Sequence, residues 1–219
     1  MLVLAHRGYH AEAHENTLAA FDAAVRLGVD GIETDVRLSA DGKPVIMHDR
    51  VTPAGRAISA LTHREIEADV GHPVPLLAEI LEAISDVLWN IEIKHPEVWP
   101  VAARVLRQFQ RSRRIFVSSF RHDVVMRCAS ELDVECGLLF ADRPLNINPV
   151  IAACADGRRI RSVVWDYNVI DDDVFRQVAA AGWHNYVYGA VTPAEHARCA
   201  ALGLAGLITD YPQRAKGAP

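Results

Sequence analysis

Short apolar runs rich in β-branched residues alternate with segments of helical apolar spacing along almost the whole chain, and nothing else in the sequence restricts the fold as strongly. Residues 2–5 are all apolar, as in a parallel strand buried on both faces. Leu18, Phe21, Val25 and Leu27 follow at helical spacing, with Asn16 or Thr17 as the expected cap and Gly28 as the stop. Gly31–Leu38 reads as the second strand, and Asp41-Gly42 turns it into residues 44–48, its predicted hairpin partner. Between residues 49 and 75 proline and glycine break the pattern, which predicts a covering loop with one short helix over 62–70. Alternation then resumes. An apolar helix face over 76–84 precedes a strand over 87–94; helices over 98–109, 124–132, 149–155 and 174–181 separate strands over 115–119, 134–140, 162–165 and 185–188. A helix starting near Pro193 and ending before Gly203 leads to the last strand, Gly206–Thr209. Strands followed by a helix, plus this last one, number about eight, the pattern of a parallel (β/α)8 barrel, or TIM barrel. The expected organisation is a single α/β domain over residues 1–219 with a short insertion after the second strand. An open doubly wound sheet would carry a phosphate-cradling glycine fingerprint after its first strand, and none follows Ala5.

With 219 residues, half of them hydrophobic, the chain can bury a core of that size. Its formal charge of -5 argues against a nucleic-acid partner, whose recognition needs a basic stripe. The apolar start meets His6-Arg7 at once, which leaves no room for the core of a signal peptide, and no run approaches the ~20 apolar residues of a membrane span. Cys128, Cys136, Cys154 and Cys199 form no CxxC pair, so they are expected as reduced residues of a cytoplasmic protein, in or near the core, rather than as zinc ligands.

The second strand carries the first chemical signal. Ile32, Thr34, Val36 and Leu38 alternate with Glu33, Asp35 and Arg37, so Glu33 and Asp35 share a face with Cα atoms roughly 6.6 Å apart. Two carboxylates so close repel each other unless a cation lies between them or one keeps a proton, and a hard divalent ion bound through oxygen resolves the conflict. A solvated acidic face is the plainer alternative. Glu92 adds a third carboxylate, on a strand face shared with Asn90 and Lys94. In a barrel of this kind sites form at the C-terminal strand ends, where His6, Arg7, Glu33, Asp35, Glu92 and Lys94 all fall. Arg7 offers a planar fork to a phosphate and Lys94 a point charge, while His6 and His48 exchange protons near neutral pH. Together these residue types point to phosphoryl chemistry supported by Ca2+ or Mg2+.

In order, the motifs are His6-Arg7-Gly8, Glu15-Asn16-Thr17, Gly31-Ile32-Glu33-Thr34-Asp35-Val36, His48-Asp49 and Ile91-Glu92-Ile93-Lys94. Pro75-Leu76 through Glu79, Ser118-Ser119-Phe120 and Gly206-Leu207-Ile208-Thr209-Asp210-Tyr211-Pro212 continue the series. This ordered set resembles the glycerophosphodiester phosphodiesterases over nearly the whole chain. The resemblance implies a (β/α) barrel holding one divalent ion, Ca2+ or Mg2+, through Glu33, Asp35 and Glu92. It implies His6 and His48 as acid and base, and Arg7 and Lys94 as phosphate contacts. The implied reaction, part of glycerol and lipid metabolism, converts a small diester such as glycerophosphocholine or glycerophosphoethanolamine to sn-glycerol 3-phosphate and an alcohol through a cyclic phosphate. A monomer or a homodimer is compatible with this reading.

Other residues carry weaker expectations. Glu15 is expected to hydrogen-bond a catalytic side chain or a loop, and Phe120 to wall the glycerol site or cap the barrel. Tyr188, like Trp165, is expected in core or rim packing. His10 and His14 are expected as surface residues, and Asp210 as a partner of the closing loop's backbone. The resemblance also has gaps. His14 stands where the family usually has proline, and Tyr188-Gly189-Ala190-Val191 where it has Trp-Thr-Val-Asn, so Val191 removes an amide at the rim. The stretch from His48 to Glu92 is short and lacks a Thr-rich run, which suggests a site open to bulkier or lipid diesters. A cyclising or lysophospholipase D-like enzyme, and a silent phosphate-binding barrel, are the competing readings.

Overall fold

In the computed structural model, which describes residues 1–154 and 159–216, the chain begins with strand β1 (Leu2–His6), helix α1 (Leu18–Leu27), β2 (Gly31–Leu38) and the short β3 (Pro44–Ile46). The insertion carries α2 (His63–Val70), and α3 (Leu77–Ala83) returns the chain to β4 (Leu88–Ile93) and α4 (Trp99–Phe109). Next come β5 (Arg114–Ser119), α5 (His122–Glu131), β6 (Glu135–Phe140), α6 (Asn148–Ala153) and β7 (Ile160–Asp166). The described chain closes with α7 (Asp172–Ala180), β8 (His184–Tyr188), α8 (Pro193–Ala201), β9 (Gly206–Thr209) and α9 (Pro212–Lys216). Strand order is β1-β9-β8-β7-β6-β5-β4-β2-β3, and a β1–β2 pairing closes the ring of eight parallel strands. This is the predicted (β/α)8 barrel. β3 pairs antiparallel with β2 outside the ring, as the hairpin reading requires. The predicted end of the sixth helix at Ala155 lies outside the described residues, and α9 is too short to leave a periodic signal.

Local chemistry accounts for the element ends. The Thr17 hydroxyl accepts the Ala20 N–H at the start of α1, and Gly28, at φ 78°, closes that helix in the left-handed region glycine favours. Thr62 with Glu65, and Thr192 with Glu195, form reciprocal capping boxes at α2 and α8. Glu79 accepts the Leu76 N–H at 2.8 Å, which gives the Pro75-Leu76 to Glu79 motif its structural meaning.

Two apolar layers hold the barrel. Between strands and helices, Trp89, Trp99 and Trp165 are fully buried among aliphatic side chains, where each buried Leu or Ile contributes about 1.5–3 kcal/mol. Inside the ring, Leu4, Phe116, Leu139, Val164, Tyr186 and Ile208 pack on one another. Phe116 and Tyr186 stack at 5.2 Å, and glycines opposite them make the room: a Cβ at Gly137 would come within 2.5 Å of Phe116 Cζ, and one at Gly206 within 2.5 Å of Tyr186 Cε1. The lumen is thus plugged below, and polar groups collect at the C-terminal strand ends. The stretch over 49–75 carries the expected short helix as α2 but is a folded lobe rather than a loop, in which Ile58, Leu61, Ile66 and Val74 pack with Val45 of β3. Among the described residues no helix is long and apolar enough to cross a membrane.

Candidate active site

Register assembles the site. Parallel pairing sets His6 opposite Glu33, Asp35 opposite Glu92 and Glu92 opposite Ser118, so residues far apart in sequence become lateral neighbours at the strand spacing of about 4.8 Å. Glu33, Asp35 and Glu92 each offer an oxygen, and these atoms lie within 4.8 Å of one another while all three residues are buried. Lys94 Nζ bridges two of them, 2.7 Å from Asp35 Oδ1 and 2.7 Å from Glu92 Oε1. Arg7 Nε lies 3.4 Å from Asp35 Oδ2, and Arg7 Nη1 donates to both oxygens of Glu15, at 3.0 and 3.1 Å.

Burial and crowding set the charges. Burial, together with the charges of Asp35 and Glu92, pushes the Glu33 carboxyl well above the usual carboxylate range. Burial also pushes Asp35 upward, but the adjacent Lys94 and Arg7 cations, with hydrogen bonds from Lys94 and Asn16, outweigh it and hold Asp35 below that range. Glu92 stays raised by burial despite Lys94. The Lys94 ammonium, penalised by burial, is raised on balance by Asp35 and Glu92. Three buried acids thus share Arg7 and Lys94, and Arg7 is also paired with Glu15.

The two imidazoles are held differently. His6 Nδ1 lies 2.6 Å from Asp210 Oδ1, and His6 Nε2 lies 3.7 Å from Glu33 Oε2. His48 follows the β2–β3 hairpin. Its Nδ1 lies 2.9 Å from Asp49 Oδ1, and Arg37 Nε donates to its carbonyl at 2.7 Å. Burial lowers the His48 pKa. His6, Arg7, Glu33, His48, Glu92 and Lys94 line one cavity of ≈ 170 Å³, whose lining is completed by Asn90, Ser118, Phe120, Leu139, Tyr188 and Ile208. Phe120 is exposed and meets Tyr188 edge to face at 6.2 Å, an aromatic wall. Burial and the nearby Asp166 push the Tyr188 phenol up, so it stays neutral and able to donate.

The Glycerophosphoryl diester phosphodiesterase family pattern matches residues 6–214. The chain belongs to that family. It is accordingly a phosphoric diester hydrolase. A glycerophosphodiester phosphodiesterase of Caldanaerobacter subterraneus is 35% identical over 166 residues, 63% of this chain and 68% of that protein. The crystal structure of the glycerophosphodiester phosphodiesterase of Thermotoga maritima superposes with a TM-score of 0.83 at 28% identity, covering 97% of this chain and 96% of that one. An Oleispira antarctica phosphodiesterase, solved in complex with the product sn-glycerol-3-phosphate, shares the fold at TM-score 0.88 and 23% identity, covering 99% and 96%.

Within this phosphodiesterase, eight of the ten singled-out residues line the cavity; of the other two, Asp35 is buried and the exposed Glu15 pairs with Arg7. Several neighbours escaped the sequence. Asn16, weighed as a helix cap, is buried at φ 56°; its amide donates to Asp35 Oδ2 at 2.8 Å and accepts the Thr34 hydroxyl at 2.7 Å. Thr17 alone caps the helix. Asn90 donates to Ser118 Oγ at 2.8 Å beneath the carboxylates, and strand alternation, which sets Asn90 beside Glu92, was the available signal. Asp210 holds side chains rather than the backbone of the closing loop, and His10, expected at the surface, is one of them, with Nε2 3.0 Å from Asp210 Oδ1. Val191 contributes no side chain to the cavity lining.

Proposed function

We propose that this hydrolase acts on glycerophosphodiesters such as glycerophosphocholine or glycerophosphoethanolamine, releasing sn-glycerol 3-phosphate and an alcohol with the help of one Ca2+ or Mg2+ ion. The observation that carries the reading is the convergence of three buried carboxylates within 4.8 Å beside a cavity that both His6 and His48 reach. The all-oxygen donor set suits a hard divalent cation, whose charge would offset the burial and the neighbouring Asp35 and Glu92 carboxylates that raise the Glu33 carboxyl. When bound at Glu33, Asp35 and Glu92, the ion would supply electrostatic stabilisation of charge on the phosphoryl oxygens.

The chain's own residues supply the rest of the reaction. One imidazole takes the proton of the glycerol 2-hydroxyl as its oxygen bonds to phosphorus; the other gives a proton to the departing alcohol as the P–O bond breaks. Water then opens the cyclic phosphate with the two imidazoles in exchanged roles. Arg7 and Lys94, at the cavity wall, face the charge that develops on the non-bridging oxygens. Phe120 and Tyr188 offer an apolar wall to the glycerol or to the head group. The sn-glycerol-3-phosphate bound to the Oleispira antarctica phosphodiesterase supports this product. We place the reaction in glycerol and lipid metabolism, carried out by a single cytoplasmic domain as a monomer or homodimer.

The test is a coupled dehydrogenase assay for sn-glycerol 3-phosphate released from glycerophosphocholine. Chelation with EDTA should abolish release, and Ca2+ or Mg2+ should restore it. Full turnover in a metal-free preparation would defeat the carboxylate argument, and inactivity on all glycerophosphodiesters with turnover of lysophospholipids would replace the substrate class.

A further inference from the structure

Asp210, just beyond β9, and His10, in the loop after β1, meet against His6. Asp210 Oδ1 lies 2.6 Å from His6 Nδ1 and 3.0 Å from His10 Nε2. Burial pushes the Asp210 carboxyl upward, but hydrogen bonds and charge from His6 and His10 more than offset it and keep the group ionised well below the usual range. An ionised carboxylate only accepts hydrogen bonds, so both facing nitrogens carry their protons toward it. His6 is thereby fixed with Nδ1–H turned to Asp210 and Nε2 turned to the cavity, 3.7 Å from Glu33 Oε2. Whatever the charge on the ring, the proton His6 exchanges there is the one on Nε2.

Asp210 is itself anchored. The buried His196 donates from Nδ1 to the Thr192 carbonyl at 2.8 Å, which leaves Nε2 to accept the Thr209 hydroxyl at 2.8 Å. Thr209 Oγ1 in turn accepts the Tyr211 N–H at 3.0 Å. The residues on both sides of Asp210 are thus tied to α8, and the carboxylate is presented from a rigid strand end. His10 does not line the cavity; its ring turns Nε2 to the Asp210 carboxylate instead.

We infer that Asp210 and His10 are positioning residues for His6: Asp210 orients the His6 ring and fixes its tautomer, and His10 acts only by holding Asp210. The inference rests on the proposed role of His6 in proton exchange. A carboxylate that orients an imidazole in this way is comparable to the outer partners of ligating histidines, whose loss costs on the order of 10- to 100-fold.

The experiment is a double-mutant cycle of Asp210→Ala and His10→Ala in the metal-supplemented enzyme, with His10→Gln as the conservative variant, and with imidazole 15N spectra of His6 recorded alongside. Asp210→Ala should lower kcat on the order of 10- to 100-fold with little change in KM, and His6 should lose its single Nδ1–H tautomer. His10→Ala should cause a smaller loss of kcat, restored by His10→Gln, whose amide can donate in place of Nε2–H. In the Asp210→Ala background, His10→Ala should add nothing, because the partner through which it acts is gone. Equal losses from His10→Ala in both backgrounds would show that His10 acts independently and would overturn the relay. An unchanged His6 tautomer and kcat in Asp210→Ala would overturn the positioning role. Should Asp210→Ala fail to fold, the His10→Ala and His10→Gln pair decides, since loss of kcat that glutamine does not restore contradicts a hydrogen-bond donor. His6→Ala with undiminished turnover would instead remove the role of His6 on which the inference stands.

Discussion

The two halves of the barrel mouth are built from different materials. On the side of β1, β2 and β4, neighbouring strand ends carry His6, Glu33, Asp35, Glu92 and Lys94, with Lys94 touching both Asp35 and Glu92 and His6 beside Glu33. On the side of β5 to β9 the cavity is lined by Phe120, Leu139, Tyr188 and Ile208, with Ser118 as the polar exception on those strands. Charges buried together are stabilised by one another and would be ruinous alone, so they are confined to adjacent strands where register keeps them in contact. Shape can be spread over the remaining strands at no electrostatic cost. Chemistry and selectivity should therefore separate by mutation, with kcat answering to the first half and KM or head-group preference to the second.

The sharpest break falls on His48, which the hairpin and the folded insertion deliver to the charged half. His48→Ala should lower kcat by roughly 10²- to 10⁴-fold, the range for losing a general acid or base, without lowering the thermal midpoint, because the ring is partly exposed and its hydrogen bond goes to the exposed Asp49. Steady-state kinetics with a thermal melt of the same preparation checks both parts. Asp35→Asn comes next. It keeps the side-chain shape but removes the charge that Lys94 and Arg7 face, and turnover should fall by about 10²- to 10³-fold, as when a preorganised electrostatic partner is lost. Near-normal turnover with either substitution would contradict the division of labour.

How much of this was legible in the sequence depends on how far apart the partners lie. The strand-helix alternation gave the barrel, because each element buries its own periodic apolar face, and the carboxylates were visible because Glu33 and Asp35 are neighbours on one strand. Asp210 was misread because its partner His6 is 204 residues away and only closure of β1 on β9 brings them together. Asn16 looked like a cap because it adjoins Thr17, yet its positive φ turns the amide inward to Asp35. Apart from its one short helix the insertion looked like a loop, because its core joins residues as distant as Val45 and Val74 that share no element.

The apolar half supplies the next test. Phe120 stands exposed against Tyr188, and losing such an aromatic contact costs about 0.5–1.5 kcal/mol. Phe120→Ala should therefore raise KM by up to about tenfold while leaving kcat within about twofold, given that 1.4 kcal/mol is a factor of ten. A kcat effect as large as that of Asp35→Asn would mean that the aromatic wall orients the reacting groups and that the two halves are not separable.

The smallest effect is expected where the sequence departs from its family. Val191 replaces an asparagine whose amide was expected at the rim, so restoring it by Val191→Asn would be predicted from the sequence to change head-group selectivity. The structure argues otherwise. Val191 is 49% exposed and its side chain takes no part in the cavity lining, while its backbone is already engaged, the N–H with Glu195 and the carbonyl with Arg214. An asparagine there would point into solvent beyond Tyr188, the last residue of β8 to reach the cavity. The ratio of kcat/KM for glycerophosphocholine and glycerophosphoethanolamine should therefore stay within about twofold of the wild-type ratio, since surface substitutions are usually worth under 0.5 kcal/mol. A larger change would extend the selecting surface past Tyr188 and make the β8–α8 turn part of the substrate's surroundings.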